Sequence, residues 1–157
     1  GKDPDGVTRQ QRICRHEAAH FCCGHWCGLP VRQYSVGLEQ GAPAAVTFDA
    51  VQTPYAPEAV AALTVTATAG CVGEALAWPG VTPTTGSSAE QDLLELENTV
   101  FRRSEQFLGA VAQQDLTRWG ASTAALLLKQ NAAKYELVVQ AFEQQKDLPA
   151  CIALLEG

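Results

Sequence analysis

The stretch GVTRQQRICRHEAAHFCCGHWCGLP, residues 6–30, constrains the fold most, because it predicts one long helix with a defined start and end. Thr8 and Gln11 have capping-box spacing, in which each side chain accepts a hydrogen bond from a free backbone N–H of the first turn. Gly28 and Pro30 are typical of a helix stop. Within such a helix, residues three and four apart share one face, so its side chains can be assigned to faces.

The rest of the chain predicts a mainly helical fold with one small β element. Residues 31–38 and 44–51 are β-favouring runs on either side of the turn-like EQGAP, which is typical of a hairpin or a sheet edge. Residues 53–80 predict a buried helix, because Pro57 lies near their start and the segment is longer than a strand. From Ala110 onward the chain is helical by composition.

A further helix is expected after a loop at residues 81–88, where Ser87 and Glu90 have capping-box spacing. The helical period predicts the buried face of this helix and the core of the C-terminal part. The predicted face consists of Leu93, Leu96, Val100 and Phe107, and the C-terminal core candidates are Leu127, Tyr135, Val138 and Phe142.

Composition excludes several classes of protein. The 157 residues fit one domain spanning 1–157, in which residues 1–7 are expected to be flexible or an added leader. The net charge of -6 argues against nucleic-acid binding, which uses clustered basic residues. No run of about 18 apolar residues predicts a membrane span, and no signal peptide is recognisable. The sequence leaves open a membrane anchor upstream of Gly1.

The sequence HEAAH within the first predicted helix has the H-E-x-x-H pattern of zinc hydrolases. His16 and His20 lie one turn apart on one face, so both imidazoles can bind one ion, and Glu17 lies near enough to act as a base. A surface helix with two histidines and a solvated glutamate is the alternative. A catalytic zinc also needs a third ligand. The next acidic cluster offers four residues, among which spacing does not choose: Glu90, Asp92, Glu95 and Glu97.

Four of the six cysteines crowd between Cys14 and Cys27, where neighbours on one helix pair poorly with each other. This distribution predicts reduced thiols in a cytosol-like compartment, which act mainly as small core residues. A thiol-based metal or redox module is the alternative, because Cys23 and Cys27 project near the direction of His16 and His20. That module lacks a C-x-x-C pair and a second ligand pair elsewhere in the chain.

Five segments carry a family resemblance: HEAAH, PVRQYSVGLEQGAPAAVTF, TATAGCVGEAL, VTPTTGSSAEQDLLELENTVFRR and LLLKQNAAKYELVVQAF. In this order they resemble the zinc helix, strand pair, G-G-R-A-A-E-E-L helix, V-T-T-G-A-x-x-D-L segment and closing helices of the peptidase domain of FtsH-type ATP-dependent zinc proteases, peptidase family M41. The chain differs from the family in having Ala19 for a glycine, Cys71 for an arginine and two extra residues before Asp92.

The resemblance implies a set of site residues: His16, His20 and Asp92 as zinc ligands, Glu17 as the base, and Glu74 in a supporting or structural position near the ligands. The chain has no G-x-x-x-x-G-K-[ST] and hence no P-loop ATPase, so the resemblance implies either a fragment of a larger protein or a standalone relative. The departures from the family motifs favour a standalone relative, for which a homo-oligomer or a separate AAA+ ATPase is the expected partner. The resemblance also implies a cytoplasmic or plastid-stromal protein.

The predicted function is that of a zinc metallopeptidase that hydrolyses peptides or unfolded chains, with Zn²⁺ as its cofactor. The residues Ala45, Val46 and Thr47 are expected to bind the peptide in extended form if their strand lies at a sheet edge. The alternative is a non-proteolytic relative that acts as a binding or assembly partner.

Overall fold

A computed structural model of the protein describes residues 6–38, 43–80 and 87–157, with the backbone alone for 87–89. Within these ranges the chain forms six helices and a two-stranded antiparallel sheet, which is the predicted fold class. The elements are α1 (Arg9–Trp26), β1 (Val31–Ser35), β2 (Ala45–Phe48), α2 (Pro57–Ala77), α3 (Ser87–Glu95), α4 (Ala110–Gln130), α5 (Ala132–Glu143) and α6 (Leu148–Glu156). A π-helical turn, Leu96–Val100, continues directly from α3.

The start and end of α1 follow from its sequence. The Thr8 hydroxyl accepts a hydrogen bond from the Gln11 N–H at 3.0 Å, and the Gln11 side chain accepts one from the Thr8 N–H at 2.8 Å. The predicted capping box is therefore confirmed. Beyond the helix, Gly28 adopts a left-handed conformation with φ of 86°, which is typical of a helix stop. Of residues 1–7, Val7 is buried and residues 1–5 lie outside the described ranges, so the expected leader stays a prediction.

The two predicted strands pair with each other. β1 and β2 run antiparallel, from Val31 opposite Phe48 to Ser35 opposite Ala45. Residues 39–42, which form most of the predicted turn, lie outside the described ranges. Phe48 packs so closely on α1 that a Cβ added at Gly24 would overlap its ring. The sheet is thereby held against the helix that carries HEAAH.

The central helix α2 packs against both α1 and α4. Its threonines are compatible with burial because Thr64, Thr66 and Thr68 each donate a hydroxyl hydrogen bond to the carbonyl four residues earlier, at 2.6, 2.8 and 3.0 Å. α2 is also long and apolar enough to cross a membrane, with a mean hydropathy of 1.5 over its best window, although no such run was expected. This is weak support for a membrane span, since core helices of soluble proteins have the same length and composition.

The described hydrophobic residues form two clusters. The larger cluster joins α1, α2, α4, α5 and α6 and includes Cys14, Phe21, Cys22, Cys23, Val65, Leu128, Tyr135, Val138, Phe142 and Cys151. The smaller cluster joins α2 to the π-helical turn and consists of Tyr55, Val60, Leu96, Val100 and Phe101. All six cysteines are free, and four of them are buried, in agreement with their predicted packing role.

Two parts of the predicted helix after residue 88 are wrong. Leu96 and Val100 are buried as expected, but Leu93 is exposed and Phe107 is 95% exposed. The physical reason is that the π-helical turn changes the helical period and ends near Val100, so Phe107 does not belong to the same helical face. The helix also includes Ser87, which was expected to be its cap. The capping bonds of Ser87 and residues 81–86 lie outside what the structure describes.

Candidate metal centre

His16 lies in the interface between α1 and α2, where small residues allow the helices to approach closely. A Cβ added at Gly70 of α2 would overlap the His16 imidazole, and one added at Gly73 would lie 2.8 Å from the Cβ of Ala19. His16 is buried as a result. Glycine inside a helix costs about 1 kcal/mol relative to alanine, so its presence here is explained by the space that the ring needs.

The histidines of HEAAH meet an aspartate from α3. The Nε2 atoms of His16 and His20 lie 2.8 and 2.9 Å from the same oxygen, Oδ2 of Asp92. All three ligand atoms lie within 4.8 Å of one another, so this group could hold a metal ion. Of the four acids that spacing left open, Asp92 is the one that contacts both histidines. Glu95 lines the same cavity, and Glu90 and Glu97 are exposed.

The other ring nitrogens face hydrogen-bond acceptors. His16 Nδ1 lies 2.6 Å from Oε2 of Glu74, and His20 Nδ1 lies 2.7 Å from the carbonyl oxygen of Thr66. If each Nδ1–H donates to its acceptor, both Nε2 lone pairs face Asp92, which is how metal-binding imidazoles are held. With protons on all four nitrogens, the two buried rings would instead be neighbouring cations. The donor set therefore fits a divalent metal ion.

The charges around this point favour a cation. Burial by itself lowers the pKa of His16, but hydrogen bonds to Asp92 and Glu74 outweigh it and raise the pKa to about 10. Burial raises the pKa of Asp92, yet hydrogen bonds from His16 and His20 bring it down to about 2. Both shifts have the same cause, which is the attraction between opposite charges. The carboxylates stabilise the protonated His16 ring, and the rings stabilise the ionised Asp92 carboxylate.

Glu17 lies beside this group with its carboxylate available. The residue is only 6% exposed and lines the same cavity as His16, His20 and Asp92. No hydrogen bond from the described residues reaches its carboxylate. Burial raises the pKa of Glu17, while the charges of His20 and His16 act in the opposite direction. A buried carboxylate without a protein partner is suited to bind a water molecule and to hold a proton.

The cavity has a volume of about 520 Å³ and reaches from the metal group to the sheet. The residues of its apolar wall include Leu63, Ala67 and Val100. Of the predicted substrate residues, Ala45 and Val46 of β2 line it, whereas Thr47 is exposed and absent from the described lining. The Thr47 hydroxyl instead donates to the Gln33 carbonyl of β1 at 3.4 Å. Thr47 is thus engaged with β1 rather than with the cavity.

Two groups in this site were not predicted from the sequence. The Thr66 contribution is a main-chain carbonyl, for which no side-chain signal exists. Gly70 could have been found, since glycines at positions 70 and 73 of a predicted helix indicate a close approach of another element.

The thiols take no part in the described metal group. Cys23 lies in the larger hydrophobic cluster, where burial raises its pKa to about 12. A thiol must be deprotonated to bind metal, so this environment disfavours the thiol-based module.

No protein-family model matches the chain, and a search of the curated proteins finds no match. The resemblance to FtsH-type zinc proteases therefore stays a prediction. The function of the chain has to be inferred from the residues of the site.

Proposed function

We propose that the protein is a zinc-dependent peptidase that hydrolyses peptide bonds in peptides or unfolded chains. The observation that carries this proposal is the buried carboxylate of Glu17, which no hydrogen bond from the described residues reaches, in the cavity that contains His16, His20 and Asp92. Two imidazoles, one carboxylate and an adjacent base are typical of hydrolytic zinc sites. The motif resemblance to FtsH-type zinc proteases supports the same function.

His16, His20 and Asp92 would hold the ion through Nε2, Nε2 and Oδ2. Nitrogen and carboxylate ligands in this ratio suit Zn²⁺. The chemistry that the ion supplies when bound is Lewis acidity, which polarises a carbonyl and lowers the pKa of water. Glu74 and the Thr66 carbonyl fix the orientation of the two rings.

Glu17 moves the proton. It accepts a hydrogen bond from a water molecule and takes one proton as the water oxygen bonds to the scissile carbonyl carbon. When the carbon–nitrogen bond breaks, Glu17 gives that proton to the leaving nitrogen. The products are a carboxylic acid and an amine, and Glu17 regains its starting state.

β2 provides a surface for an extended peptide. β1 pairs with one edge of β2, and in the described ranges no strand pairs with the other edge. A peptide added there by backbone hydrogen bonds would pass the cavity that Ala45 and Val46 line. In a folded protein most segments are already paired or buried in its own structure, so peptides and unfolded chains are the proposed substrates. A homo-oligomer or a separate ATPase partner stays a prediction.

The test combines metal content by elemental analysis with cleavage of quenched fluorescent peptides. Wild type and Glu17→Gln should each carry zinc, while His20→Ala and Asp92→Ala should lose it. Cleavage should fall by about 10²–10⁴-fold in Glu17→Gln, since a general base contributes this much. His25→Ala is the matched control, because His25 lies on α1 but outside the ligand group.

Zinc without cleavage in the wild type would overturn the peptidase proposal and favour the non-proteolytic binding partner. Absence of zinc, or zinc retained in Asp92→Ala, would overturn the ligand assignment itself.

A further inference from the structure

Arg12 is a buried charge beside the metal group that the proposed mechanism does not use. It lies on α1, one turn before His16, and its Nη1 is 3.9 Å from Oε1 of Glu74. The other oxygen of Glu74, Oε2, is the acceptor for His16 Nδ1 at 2.6 Å. One carboxylate therefore lies between a guanidinium and the imidazole of a proposed ligand.

We propose that Arg12 is a positioning residue of the metal centre, which acts through Glu74 on the orientation of His16. This inference rests on the proposed function, because it concerns an ion held by His16. At 3.9 Å the Arg12–Glu74 contact is too long for a hydrogen bond and is an electrostatic attraction. Such an attraction is stronger in a buried setting than in water. It draws Oε1 toward Arg12 and leaves Oε2 facing His16.

The same two helices also hold Arg12 itself. Its guanidinium carbon lies 5.2 Å from the centroid of the Trp78 ring, within the range of a cation–π contact. Trp78 follows Glu74 by four residues, as His16 follows Arg12. Arg12 and His16, one turn apart on α1, therefore face Glu74 and Trp78, which have the same spacing on the other side of the interface. Because Glu74 and Trp78 come from α2 and the residue that follows it, these contacts tie the position of Arg12 to that of Glu74.

Arg15 provides a matched comparison on the same helix. Its guanidinium also lies near Trp78, at 6.0 Å from the ring centroid. It pairs, however, with both carboxylate oxygens of Glu136 on α5, at 2.7 and 3.0 Å. The two arginines share a helix and an aromatic neighbour, and they differ in the carboxylate that each contacts.

The test is a competition titration of zinc against a chelator on the full chain. Glu74→Gln should weaken zinc binding by about 10–100-fold, as partners of ligand imidazoles usually do. Arg12→Gln should weaken it by about 10-fold, and Arg12→Lys should recover part of this loss by restoring the charge. The double variant should bind no more weakly than Glu74→Gln, because Arg12 acts through that residue. The visible spectrum of the Co²⁺-loaded protein should change in Arg12→Gln.

Arg15→Gln should keep wild-type zinc affinity and the wild-type Co²⁺ spectrum even where its melting temperature falls. The inference is overturned if Arg12→Gln binds zinc as wild type does, if the two losses add in the double variant, or if Arg15→Gln loses affinity equally. If Arg12→Gln does not fold, Trp78→Leu replaces it as the test, because it removes the ring that holds the Arg12 guanidinium. Unchanged zinc affinity in Trp78→Leu overturns the inference, and weaker zinc affinity supports it. A wild type without zinc overturns the proposed function and this inference together, which separates that failure from the others.

Discussion

The proposed metal ligands come from two regions that are held in different ways. His16 and His20 lie in the α1–α2 interface, where Gly70 and Gly73 give α1 close access to α2. Asp92 lies on α3, and its described neighbours on that helix are all exposed: Glu90, Gln91, Leu93, Leu94 and Glu95. The core therefore fixes the positions of two ligands, whereas the third ligand lies on a helix with little buried surface. Binding of an ion should therefore stabilise α3 more than α1.

What holds α3 is mainly the turn that follows it. The Phe101 N–H bonds the Leu96 carbonyl at 3.0 Å, which is the five-residue spacing of a π-helix. At about 100° per residue, an α-helix would place Val100 about 80° around from Asp92. A π-helical turn rotates less per residue and brings Val100 closer to that face. Val100 then packs in the smaller cluster and lines the metal cavity.

Gly70→Ala tests the α1–α2 half of the site, and we expect the largest effect on zinc binding from it. The new methyl would overlap the His16 ring, so overpacking should cost about 1–3 kcal/mol and zinc should be lost. Urea unfolding and elemental analysis measure the two effects. Gly73→Ala is the control, because its methyl meets Tyr135 and Ala19 at 2.6 and 2.8 Å, away from the ligands. It should lose stability and keep zinc; equal zinc uptake by both variants would contradict the role of Gly70.

Raising the pH should lower the free energy of unfolding through the buried thiols on α1. Burial raises the pKa of the Cys14 and Cys23 thiols to about 11 and about 12, whereas an unfolded cysteine titrates at about 8.5. Between these values the native state keeps the proton that the unfolded chain loses. The contribution of each thiol to the free energy of unfolding should therefore be constant below about pH 8.5 and fall above it, by up to about 1.4 kcal/mol per pH unit.

Urea unfolding between about pH 8 and about pH 10.5 measures this slope. Cys23→Ala should show a shallower decline than wild type, whatever its stability at the lower pH. An identical slope would mean that Cys23 is not protected from ionisation in the native state.

Hydrogen exchange can measure the difference between α3 and the core helices directly. Zinc binding should slow amide exchange in α3 by about 10-fold relative to the chelator-treated protein, because Asp92 then ties α3 to α1. The interior amides of α1 and α2 should change by less than about 2-fold, since their protection comes from the core. Mass spectrometry of peptides from the three helices gives the rates. Uniform slowing across all three would show that α3 is as firmly held as the core.

The least change is expected at Phe107, although its residue type suits a core. Because it is 95% exposed, Phe107→Ser should change the free energy of unfolding by no more than about 0.5 kcal/mol. Leu96→Ala, in the π-helical turn, should cost about 2–5 kcal/mol because Leu96 is fully buried. Thermal and urea unfolding distinguish the two. A large loss in Phe107→Ser would mean that this side chain is covered in solution.

Prediction from the sequence succeeded where the signal is local. The capping box at Thr8 and Gln11 and the shared face of His16 and His20 depend on the period of one helix. Prediction failed at Phe107 because the helix ends near Val100. It failed at Leu93 because α3 has little buried surface, which the period of one helix does not reveal. Composition alone does not explain how threonines are buried on α2, and hydrogen bonds to carbonyls one turn earlier do.

The chemistry on α1 was already contained in the sequence, since a helix must place residues 16 and 20 on one face and residue 17 beside them. Which acid joins them depended on the tertiary structure, because Asp92 is 76 residues from His16 and spacing left four candidates open. The partners of the ring nitrogens depended on it too, and one of them, Glu74, lies 58 residues from His16. These choices follow from how α1, α2 and α3 pack, and side-chain contacts between distant segments have no local period from which they can be read.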